Sequence, residues 1–363
     1  MKIVIDKYIP YMQNVLEPYA EVCYVAGDAI TASHLRDADA LLIRTRTKVN
    51  AALLDGTRVN FVGTATVGID HIDTDYCAQR GITVANAAGC NAAGVMQYMV
   101  AALLTMSEFK KRPLHTMTMG IVGVGNVGKL VAKAGQVLGM KVLLNDPPRA
   151  LREGAVGFTE LDNLLTTADA VTIHVPLTPD TRAMGNDYFF RKMKKDAWFF
   201  NTSRGEVADE KALMNHAREQ LGAVVQDVWQ HEPDINKQLL AMTNIATPHI
   251  AGYSIQGKKN ATRMIIQAVA QFFSWEELFN FEPDVTISPV PLPLSKQDDI
   301  YSVVKKTYCI TDDDRRLREQ PEHFEQLRTN YVLRNEFSGY DINTYENDQL
   351  SILLKALACH ILL

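Results

Sequence analysis

The stretch that decides the fold is Met119-Gly-Ile-Val-Gly-Val-Gly-Asn-Val-Gly128, an apolar run that leads into three spaced glycines. Lys129 to Leu138 follows with apolar residues at helical spacing. A strand, a glycine turn and a helix in this order are the context in which G-x-G-x-x-G predicts dinucleotide binding. Gly123 permits the tight turn, Gly125 lets the backbone approach a pyrophosphate, and Gly128 lets the helix pack close to the strand.

An acidic residue follows the next predicted strand. Lys141 to Asn145 ends in Asp146, within about 20 residues of Gly128, as expected for a ribose-binding acid. Its carboxylate would accept from the ribose hydroxyls and repel a 2′-phosphate, which favours NAD over NADP. Arg149 and Arg152 lie close enough in sequence to soften that preference.

Composition excludes several classes of protein. The 363 residues predict two or three domains, and the 47% hydrophobic and 22% charged content is that of a globular protein. A net charge of −5 and a pI near 6.0 argue against a nucleic-acid binder. The five scattered cysteines form no CxxC pair, which indicates a reducing compartment and no structural zinc. No apolar run reaches the ~18 residues of a membrane span, so a cytoplasmic protein is expected.

The first ninety residues alternate predicted strands with helix-like stretches, such as Tyr11 to Tyr19 and Asp73 to Arg80. The strands are Ile3–Ile5, Ala40–Ile43, Phe61–Gly63 and Ile82–Val84. This alternation predicts a parallel sheet with helices on both faces, whose strand ends carry ligands.

Two loops follow strands of this first sheet. Arg44-Thr-Arg-Thr-Lys48 offers three basic residues and two hydroxyls to an anionic substrate, although a solvated basic loop would have the same composition. Gly63 to Gly68 is similar to a backbone nest for an anion, and a plain turn is an equal alternative.

The dinucleotide-binding region is expected to contain six strands. Ala170–Val175, Ala197–Thr202, Gly222–Asp227 and Ile245–Ala246 would complete the sheet. The apolar helix Asn91–Phe109 is expected to lead into this region. The helix Gln256–Phe273 is expected to return to the first domain, which would leave that domain split in sequence.

From Phe281 the chain becomes rich in proline. Val303 to Ile310 predicts a helix or a strand, Asp312 to Arg316 a turn, and Glu322 to Glu336 an amphipathic helix. A strand and a helix are expected from Tyr340 onward. About eighty residues make a small domain of marginal independent stability, for which subunit contact is the expected role.

Three loops beyond the glycine motif place charged residues after successive strands: Arg204, then Asp227 and Glu232, then His249. Hydride transfer from the alcohol of a hydroxy acid to a nicotinamide needs a group that binds the carboxylate, a base that takes the hydroxyl proton, and a group that orients this base. These side chains can supply all three. The planar fork of Arg204 suits a substrate carboxylate, and the pKa range of histidine suits His249 as the base that takes the hydroxyl proton. Glu232 would orient the imidazole and stabilise its charged form.

Three other histidines are weaker candidates for the same chemistry. His231, next to Glu232, is a rival base without the strand-end context of His249. His71 and His174 are expected to be structural.

These segments resemble the D-isomer-specific 2-hydroxyacid dehydrogenases over about residues 1 to 280. The resemblance is carried by the three glycines, Asp146, His174–Thr178, Asn201–Gly205, Asp227–Pro233 and Pro248–His249. Further segments are similar to a member that oxidises a phosphorylated four-carbon 2-hydroxy acid in vitamin B6 synthesis: Thr47–Asn50, Phe61–Thr66, Gly89–Asn91, His249–Ser254 and Phe324–Tyr331.

The resemblance implies an α/β fold with three parts. These are a flavodoxin-like substrate domain (1–92 and 255–280), a Rossmann NAD-binding domain (93–254) and a small α+β C-terminal dimerisation domain (281–363). It also implies a homodimer, NAD as cofactor and no bound metal.

The resemblance assigns roles as well. Arg204, Glu232 and His249 would be catalytic, and Thr45, Thr66 and Tyr253 would contact substrate. The implied cofactor contacts are Gly123, Gly125, Asn126, Val127, Gly128, Asp146, Thr202, Ser203, Arg204, Asp227 and Gly252. Val175, in place of a hydroxyl residue, and the pair Thr202-Ser203 depart from the pattern.

Two alternatives stay open. One is a dehydrogenase for 3-phosphoglycerate, glycerate or another short 2-hydroxy acid. The other, from a different class, is a protein that senses NAD(H) without turnover.

Overall fold

The computed structural model describes residues 1–295, 297–343, 349–357 and 360–362. The chain divides into two compact units. The first unit is Met1–Asn91 with Ile255–Ile287, and the second is Ala92–Ser254 with Ser288–Leu363. The segment expected to be a separate C-terminal domain therefore packs, from Ser288 onward, within the same unit as the dinucleotide-binding region.

The first unit begins with a five-stranded parallel sheet in the order β2-β1-β3-β4-β5. Its elements are β1 (Lys2–Asp6), β2 (Glu21–Val25), α1 (Ala32–Leu35), β3 (Ala40–Ile43), α2 (Ala51–Leu54), β4 (Phe61–Thr64), α3 (Thr74–Gln79) and β5 (Thr83–Asn86). This is the flavodoxin-like order, as predicted.

Two features of this sheet differ from the prediction. Tyr11 to Tyr19 forms turns rather than a helix, because Tyr11 and Asn14 have φ of 58° and 63° in the left-handed region. The sequence also gave no signal for β2, an edge strand whose residues are only partly buried and whose hydrophobic alternation is weak.

The second unit contains a six-stranded parallel sheet in the order β11-β10-β9-β8-β6-β7. Its elements are α4 (Ala92–Lys110), β6 (Thr118–Val122), α5 (Asn126–Val137), β7 (Lys141–Asn145), α6 (Pro147–Glu153), α7 (Leu161–Thr167), β8 (Ala170–Ile173), α8 (Asp187–Lys192), β9 (Trp198–Asn201), α9 (Glu210–Glu219), β10 (Ala223–Gln226), α10 (Lys237–Met242) and β11 (Ile245–Ala246). The predicted count of six strands is confirmed.

The order of the strands reverses at β6, since β7 pairs with one edge of this strand and β8 with the other. Ligands of doubly wound sheets bind outside the carboxyl ends of the strands at such a switch point. The glycine loop Gly123–Gly125 follows β6 directly, so the topology places the dinucleotide motif at that point. α4 is apolar on all sides and buried along most of its length, as a helix inside a core should be.

The chain then forms α11 (Ile255–Phe273), which packs against β4 and β5 in the first unit. Its buried residues include Ala261, Ile265 and Val269, which recur at helical spacing.

The remaining elements are β12 (Val290–Leu292), α12 (Ile300–Thr307), α13 (Ile310–Glu319), α14 (Phe324–Thr329), β13 (Tyr340–Asn343), α15 (Gln349–Ala356) and β14 (His360–Leu362). The three strands form a parallel sheet in the order β12-β13-β14. Together with four helices they make the α+β C-terminal segment.

Two predictions for this segment were wrong. Asp312–Arg316, predicted to be a turn, lies inside α13. The helix is favoured here because acidic residues precede the arginines along it and form intrahelical ion pairs, such as that between Arg316 and Asp313. The helix expected over Glu322–Glu336 is limited to α14, because the backbone of Arg334 instead forms a bridge with Ser254.

Among the described residues, Cys23, Cys77, Cys90 and Cys309 form no disulfide. The described ranges contain no cluster of side chains suited to a metal ion. No helix in the same part of the chain combines the length and hydropathy of a bilayer-spanning segment.

Replacing Gly128 by alanine tests the close packing of α5 on β6. A Cβ at Gly128 would lie 2.0 Å from the carbonyl oxygen of Gly123, whereas one at Gly125 would meet nothing within 4 Å. We expect Gly128→Ala to lower the free energy of unfolding by about 1–3 kcal/mol in urea titrations without cofactor. The control Gly125→Ala should stay within about 0.5 kcal/mol of the parent protein. Equal stability of the two variants would contradict this packing.

Candidate active site in the second unit

The glycine loop and Asp146 form one hydrogen-bonded structure. Asp146 follows β7, and its Oδ2 accepts from the backbone N–H of Val124 at 2.8 Å. Its Oδ1 caps α6 by accepting from the N–H of Arg149 at 3.0 Å. Gly123 has φ of +88°, and a Cβ there would collide with the carbonyl oxygen of His174. Glycine is therefore required at this turn.

The loop has the features that a dinucleotide needs. Gly125 is the N-cap of the twelve-residue α5, whose first residues are Asn126 and Val127. Open space around Gly125 and the N–H groups of the helix start suit a pyrophosphate, while the Asp146 carboxylate suits ribose hydroxyls. The residues present therefore fit NAD.

Arg149 is less available to a 2′-phosphate than its sequence position suggested. Its Nη1 donates to the carbonyl oxygen of Val124 at 2.6 Å, and its Nη2 pairs with Glu153 at 2.6 Å. Val175, the residue that departs from the family pattern, has its side chain beside the position that a Cβ on Gly123 would occupy.

His174 follows β8 and is a half-buried, hydrogen-bonded residue. Its Nε2 lies 3.0 Å from the Thr172 hydroxyl, and its Nδ1 lies 3.3 Å from the Thr202 hydroxyl. Burial lowers the pKa of His174 to about 3, so the ring is neutral. These contacts agree with a structural role and position Thr202 at the end of the neighbouring strand.

Arg204 lies on the loop after β9. The Asn201 side chain holds this loop, accepting from the N–H of Ser203 at 3.0 Å and donating to the Arg204 carbonyl oxygen at 3.0 Å. A Cβ on Gly205 would lie 2.0 Å from the carbonyl carbon of Trp229. The loops after β9 and β10 are therefore in direct contact, which places Arg204 beside the segment that carries Glu232.

Asp227 is a buried carboxylate beneath the loop after β11. Its Oδ1 accepts from the Thr247 hydroxyl at 2.7 Å and from the N–H of Ile250 at 2.8 Å, and its Oδ2 accepts from the N–H of Ala251 at 2.9 Å. Burial raises the pKa of Asp227, and His249 and these donors offset part of that effect. Its carboxylate fixes the backbone on which His249 lies.

His249 and Glu232 form the pair expected from the sequence. Glu232 Oε2 lies 2.8 Å from His249 Nδ1, and Glu232 Oε1 accepts from the N–H of Trp229 at 2.9 Å. Burial alone would raise the pKa of Glu232, but His249 and Arg328 hold it below its usual range. Glu232 is therefore ionised at neutral pH, so that Nδ1 donates to it and Nε2 is left to exchange a proton.

His249 has a backbone conformation that histidine seldom adopts, with φ of 57°. His231 shares this conformation with φ of 61°, but its side chain is exposed and is not part of the pair. Strained backbone at a half-buried histidine that pairs with a carboxylate is typical of a functional site.

Two arginines of the C-terminal segment complete this site, and sequence reasoning missed both. Arg328 Nε donates to the Tyr253 hydroxyl at 3.1 Å, and its Nη1 lies 3.7 Å from Glu232 Oε2. Arg334 donates to the carbonyl oxygens of Ile250 at 3.0 Å and Tyr253 at 3.1 Å, and to that of Ala251. No local pattern could have revealed contacts across this sequence separation.

The first unit carries the other predicted site residues, Thr45 and Thr66. Thr45 is exposed after β3, whereas the hydroxyl of Thr47 is buried and donates to the Gly27 carbonyl oxygen at 2.8 Å. Only one of the two hydroxyls in the Arg44–Lys48 loop therefore faces solvent. After β4, the Thr66 hydroxyl lies 2.7 Å from that of Thr64.

The family model described as the D-isomer specific 2-hydroxyacid dehydrogenase, NAD binding domain, matches residues 91–251. A domain of unknown function, DUF3410, matches residues 290–357. The chain is 44% identical over 348 residues to an erythronate-4-phosphate dehydrogenase of Bacteroides thetaiotaomicron, covering 94% of this chain and 99% of that protein. The chain belongs to the D-isomer-specific 2-hydroxyacid dehydrogenase family.

Further relatives agree with this membership. An erythronate-4-phosphate dehydrogenase of Shigella flexneri is 38% identical over 371 aligned positions, which cover 98% of this chain and 97% of that protein. The structure is similar to a D-lactate dehydrogenase from Aquifex aeolicus in complex with NAD and lactic acid, with a TM-score of 0.64 and 26% identity over 79% of this chain and 99% of that one. An NAD⁺-bound 3-phosphoglycerate dehydrogenase of Entamoeba histolytica gives a TM-score of 0.66 at 25% identity, over 77% of this chain and 97% of that one.

The predicted family, enzyme class and cofactor are thereby confirmed. The protein is an NAD-dependent oxidoreductase of the 2-hydroxyacid dehydrogenase family. The roles of individual residues stay predictions that the geometry supports.

Replacing Asp146 by serine tests its role toward the ribose. Serine still caps α6 but loses the negative charge, so we expect the Kd for NADH to rise about tenfold and the preference for NADH over NADPH to be largely lost. Fluorescence titration with both cofactors measures these values. The control Glu153→Gln releases Arg149 but keeps Asp146, and should retain most of the preference. An unchanged NADH-to-NADPH ratio in Asp146→Ser would contradict the assignment.

Proposed function

We propose that this protein oxidises 4-phospho-D-erythronate with NAD⁺ to (R)-3-hydroxy-2-oxo-4-phosphooxybutanoate, as a step of pyridoxine 5′-phosphate synthesis. The observation that carries the chemistry is the 2.8 Å contact between His249 Nδ1 and Glu232 Oε2 in the unit that contains the NAD motif. The substrate assignment is supported by relatives at 38–44% identity over nearly the full chain, which are named erythronate-4-phosphate dehydrogenases.

His249 acts as the base in this proposal. Its Nε2 takes the proton of the C2 hydroxyl as the C2 hydrogen leaves with its electron pair, so that a C=O bond forms at C2. Bound NAD⁺ supplies the acceptor for that hydride. The ionised Glu232 stabilises the imidazolium that results, because its Oε2 holds the Nδ1 proton.

Arg204 binds the substrate carboxylate. The guanidinium presents parallel N–H donors that match a carboxylate in a bidentate contact. The loop after β9 supports this role, because the Asn201 side chain fixes the Arg204 backbone and Gly205 packs on Trp229. The carboxylate contact would orient C2 toward both the base and the nicotinamide.

Thr45, Thr66 and Tyr253 contact the substrate, and the basic loop Arg44–Lys48 gives its anionic groups a suitable electrostatic environment. Arg44 is partly ordered by donating to the Tyr8 carbonyl oxygen at 3.2 Å. We also propose that the protein acts in the cytoplasm as a homodimer assembled through its C-terminal segment, the part matched by DUF3410.

A substrate panel distinguishes this function from its alternatives. Purified protein with NAD⁺ and 4-phosphoerythronate, 3-phosphoglycerate, glycerate or D-lactate is followed by nicotinamide absorbance. We expect kcat/KM to be highest for 4-phosphoerythronate, because relatives at 38–44% identity over nearly the full chain are named erythronate-4-phosphate dehydrogenases. A preference for 3-phosphoglycerate would replace 4-phosphoerythronate by that acid as the assigned substrate. Tight NADH binding without any turnover would support the alternative sensor function.

Replacing His249 by asparagine tests the base. Asparagine tolerates the left-handed backbone and can still donate to Glu232, but it cannot take the proton. We expect kcat to fall at least about 100-fold while the Kd for NADH changes less than about threefold. The control His231→Asn removes the rival histidine from the same backbone conformation and should keep full activity. The reverse outcome would assign the base to His231.

A further inference from the structure

Arg328 of α14 lies against the two side chains on which the proposed chemistry depends. Its Nε donates to the Tyr253 hydroxyl at 3.1 Å, and its Nη1 lies 3.7 Å from Glu232 Oε2. That oxygen is also the one that pairs with His249 Nδ1 at 2.8 Å. The side chains of Arg328 and Glu232 are each only 18% exposed, so water screens this ion pair weakly.

The segment that carries Arg328 is anchored close to the site. The backbone of Arg334 bridges to Ser254, and the Ser254 hydroxyl donates to Glu336 Oε1 at 2.6 Å. The Arg334 guanidinium is buried, donates to the carbonyl oxygen of Gly94 at 3.0 Å and stacks over the Tyr308 ring at 4.3 Å. These contacts hold the chain after α14 to the loop that carries His249, which anchors the C-terminal end of the helix that carries Arg328.

We propose that Arg328 is a positioning residue that acts through Glu232 to keep His249 unprotonated, and that it orients the Tyr253 hydroxyl toward the substrate. The inference rests on the proposed function, because it needs His249 to be the base. Oxidation requires a neutral imidazole at the start of each turnover. An ionised glutamate favours the imidazolium form of its histidine partner, and a cation on the same carboxylate oxygen opposes that effect.

The surrounding charges agree with this role. His249 lowers the pKa of both Asp227, buried beneath the loop, and Glu232, and Arg328 is the cation that faces Glu232 from the C-terminal segment. Burial would lower the pKa of Arg328, but Tyr253, Glu232 and Glu325 raise it, so its guanidinium is charged throughout the working range.

The direction of the expected pH effect follows from these charges. Loss of Arg328 removes a positive charge beside the Glu232–His249 pair, so this pair takes up a proton more easily. The base is then unprotonated only at higher pH. The acidic limb of the kcat/KM profile for oxidation should therefore move to higher pH, by about one pH unit for a partly buried charge at this range.

The test measures kcat/KM for oxidation of 4-phosphoerythronate between pH 5.5 and 9.5, ~0.5 unit apart, in three variants and the parent protein. Arg328→Gln removes the charge, and Arg328→Lys keeps it without the fork of donors. Arg315→Gln removes an exposed arginine of α13, whose side chain is 60% exposed and paired with Asp312 and Glu319. All four proteins use the same substrate, so the ionisation of the substrate itself cancels in the comparison.

We expect the acidic midpoint to rise by about one pH unit in Arg328→Gln and to stay near the parent value in Arg328→Lys and Arg315→Gln. We also expect KM to rise in Arg328→Lys, since lysine cannot repeat the directed contact with Tyr253. A uniform loss of activity in Arg328→Gln with an unmoved midpoint would overturn the proposal and leave Arg328 a packing role.

Two further outcomes separate this inference from the proposed function. If Arg328→Gln does not fold, Arg328→Lys decides the question. An acidic midpoint that moves by about one pH unit in Arg328→Lys would overturn the charge argument. An unmoved midpoint with a raised KM would support it. If His249→Asn keeps full activity, the base itself is wrong and the proposed function fails first. If His249→Asn is inactive but the pH profile of Arg328→Gln does not move, the inference about Arg328 fails and the proposed function stands.

Discussion

The loop that carries His249 is held between a buried anion and a buried cation. Its N–H groups at Ile250 and Ala251 donate to the Asp227 carboxylate, and its carbonyl oxygens at Ile250, Ala251 and Tyr253 accept from the Arg334 guanidinium. Every other feature of the proposed chemistry depends on this arrangement. A loop of irregular backbone cannot satisfy its own polar groups, and burial makes each unsatisfied one costly.

Burying two full charges is itself unfavourable unless each is surrounded by hydrogen bonds. Asp227 meets this condition with two backbone donors and the Thr247 hydroxyl, and Arg334 meets it with backbone carbonyls, Gln97 Oε1 at 3.1 Å and the face of Tyr308. The surrounding structure then holds His249 at φ of 57° with its Nδ1 on Glu232. Rigidity at this point is what a proton transfer requires, because a small misplacement of the base is costly in rate.

The C-terminal segment is therefore more than an appendage to the dinucleotide-binding sheet. Arg334 donates to backbone carbonyl oxygens of the loop that carries His249, and Arg328 contacts Glu232 and Tyr253. Arg318 of α13 donates to the Thr243 carbonyl oxygen at 2.6 Å just before β11. Together these contacts bring three arginines of one segment to the last strands of the sheet. They explain in physical terms why this segment packs with residues 92–254 as one unit.

The sequence by itself determined the α/β fold, the glycine loop with Asp146, and the order of Arg204, Glu232 and His249, since these depend on local spacing and strand-end position. It misjudged Tyr11–Tyr19, Asp312–Arg316 and the length of the helix at Phe324, where positive φ values, intrahelical ion pairs and a long-range backbone bridge outweigh propensity. Only the tertiary structure decided that Arg328 and Arg334 belong to the site. Their partners lie about 75 to 240 positions away in sequence, and no periodicity relates residues that meet only after the chain has folded.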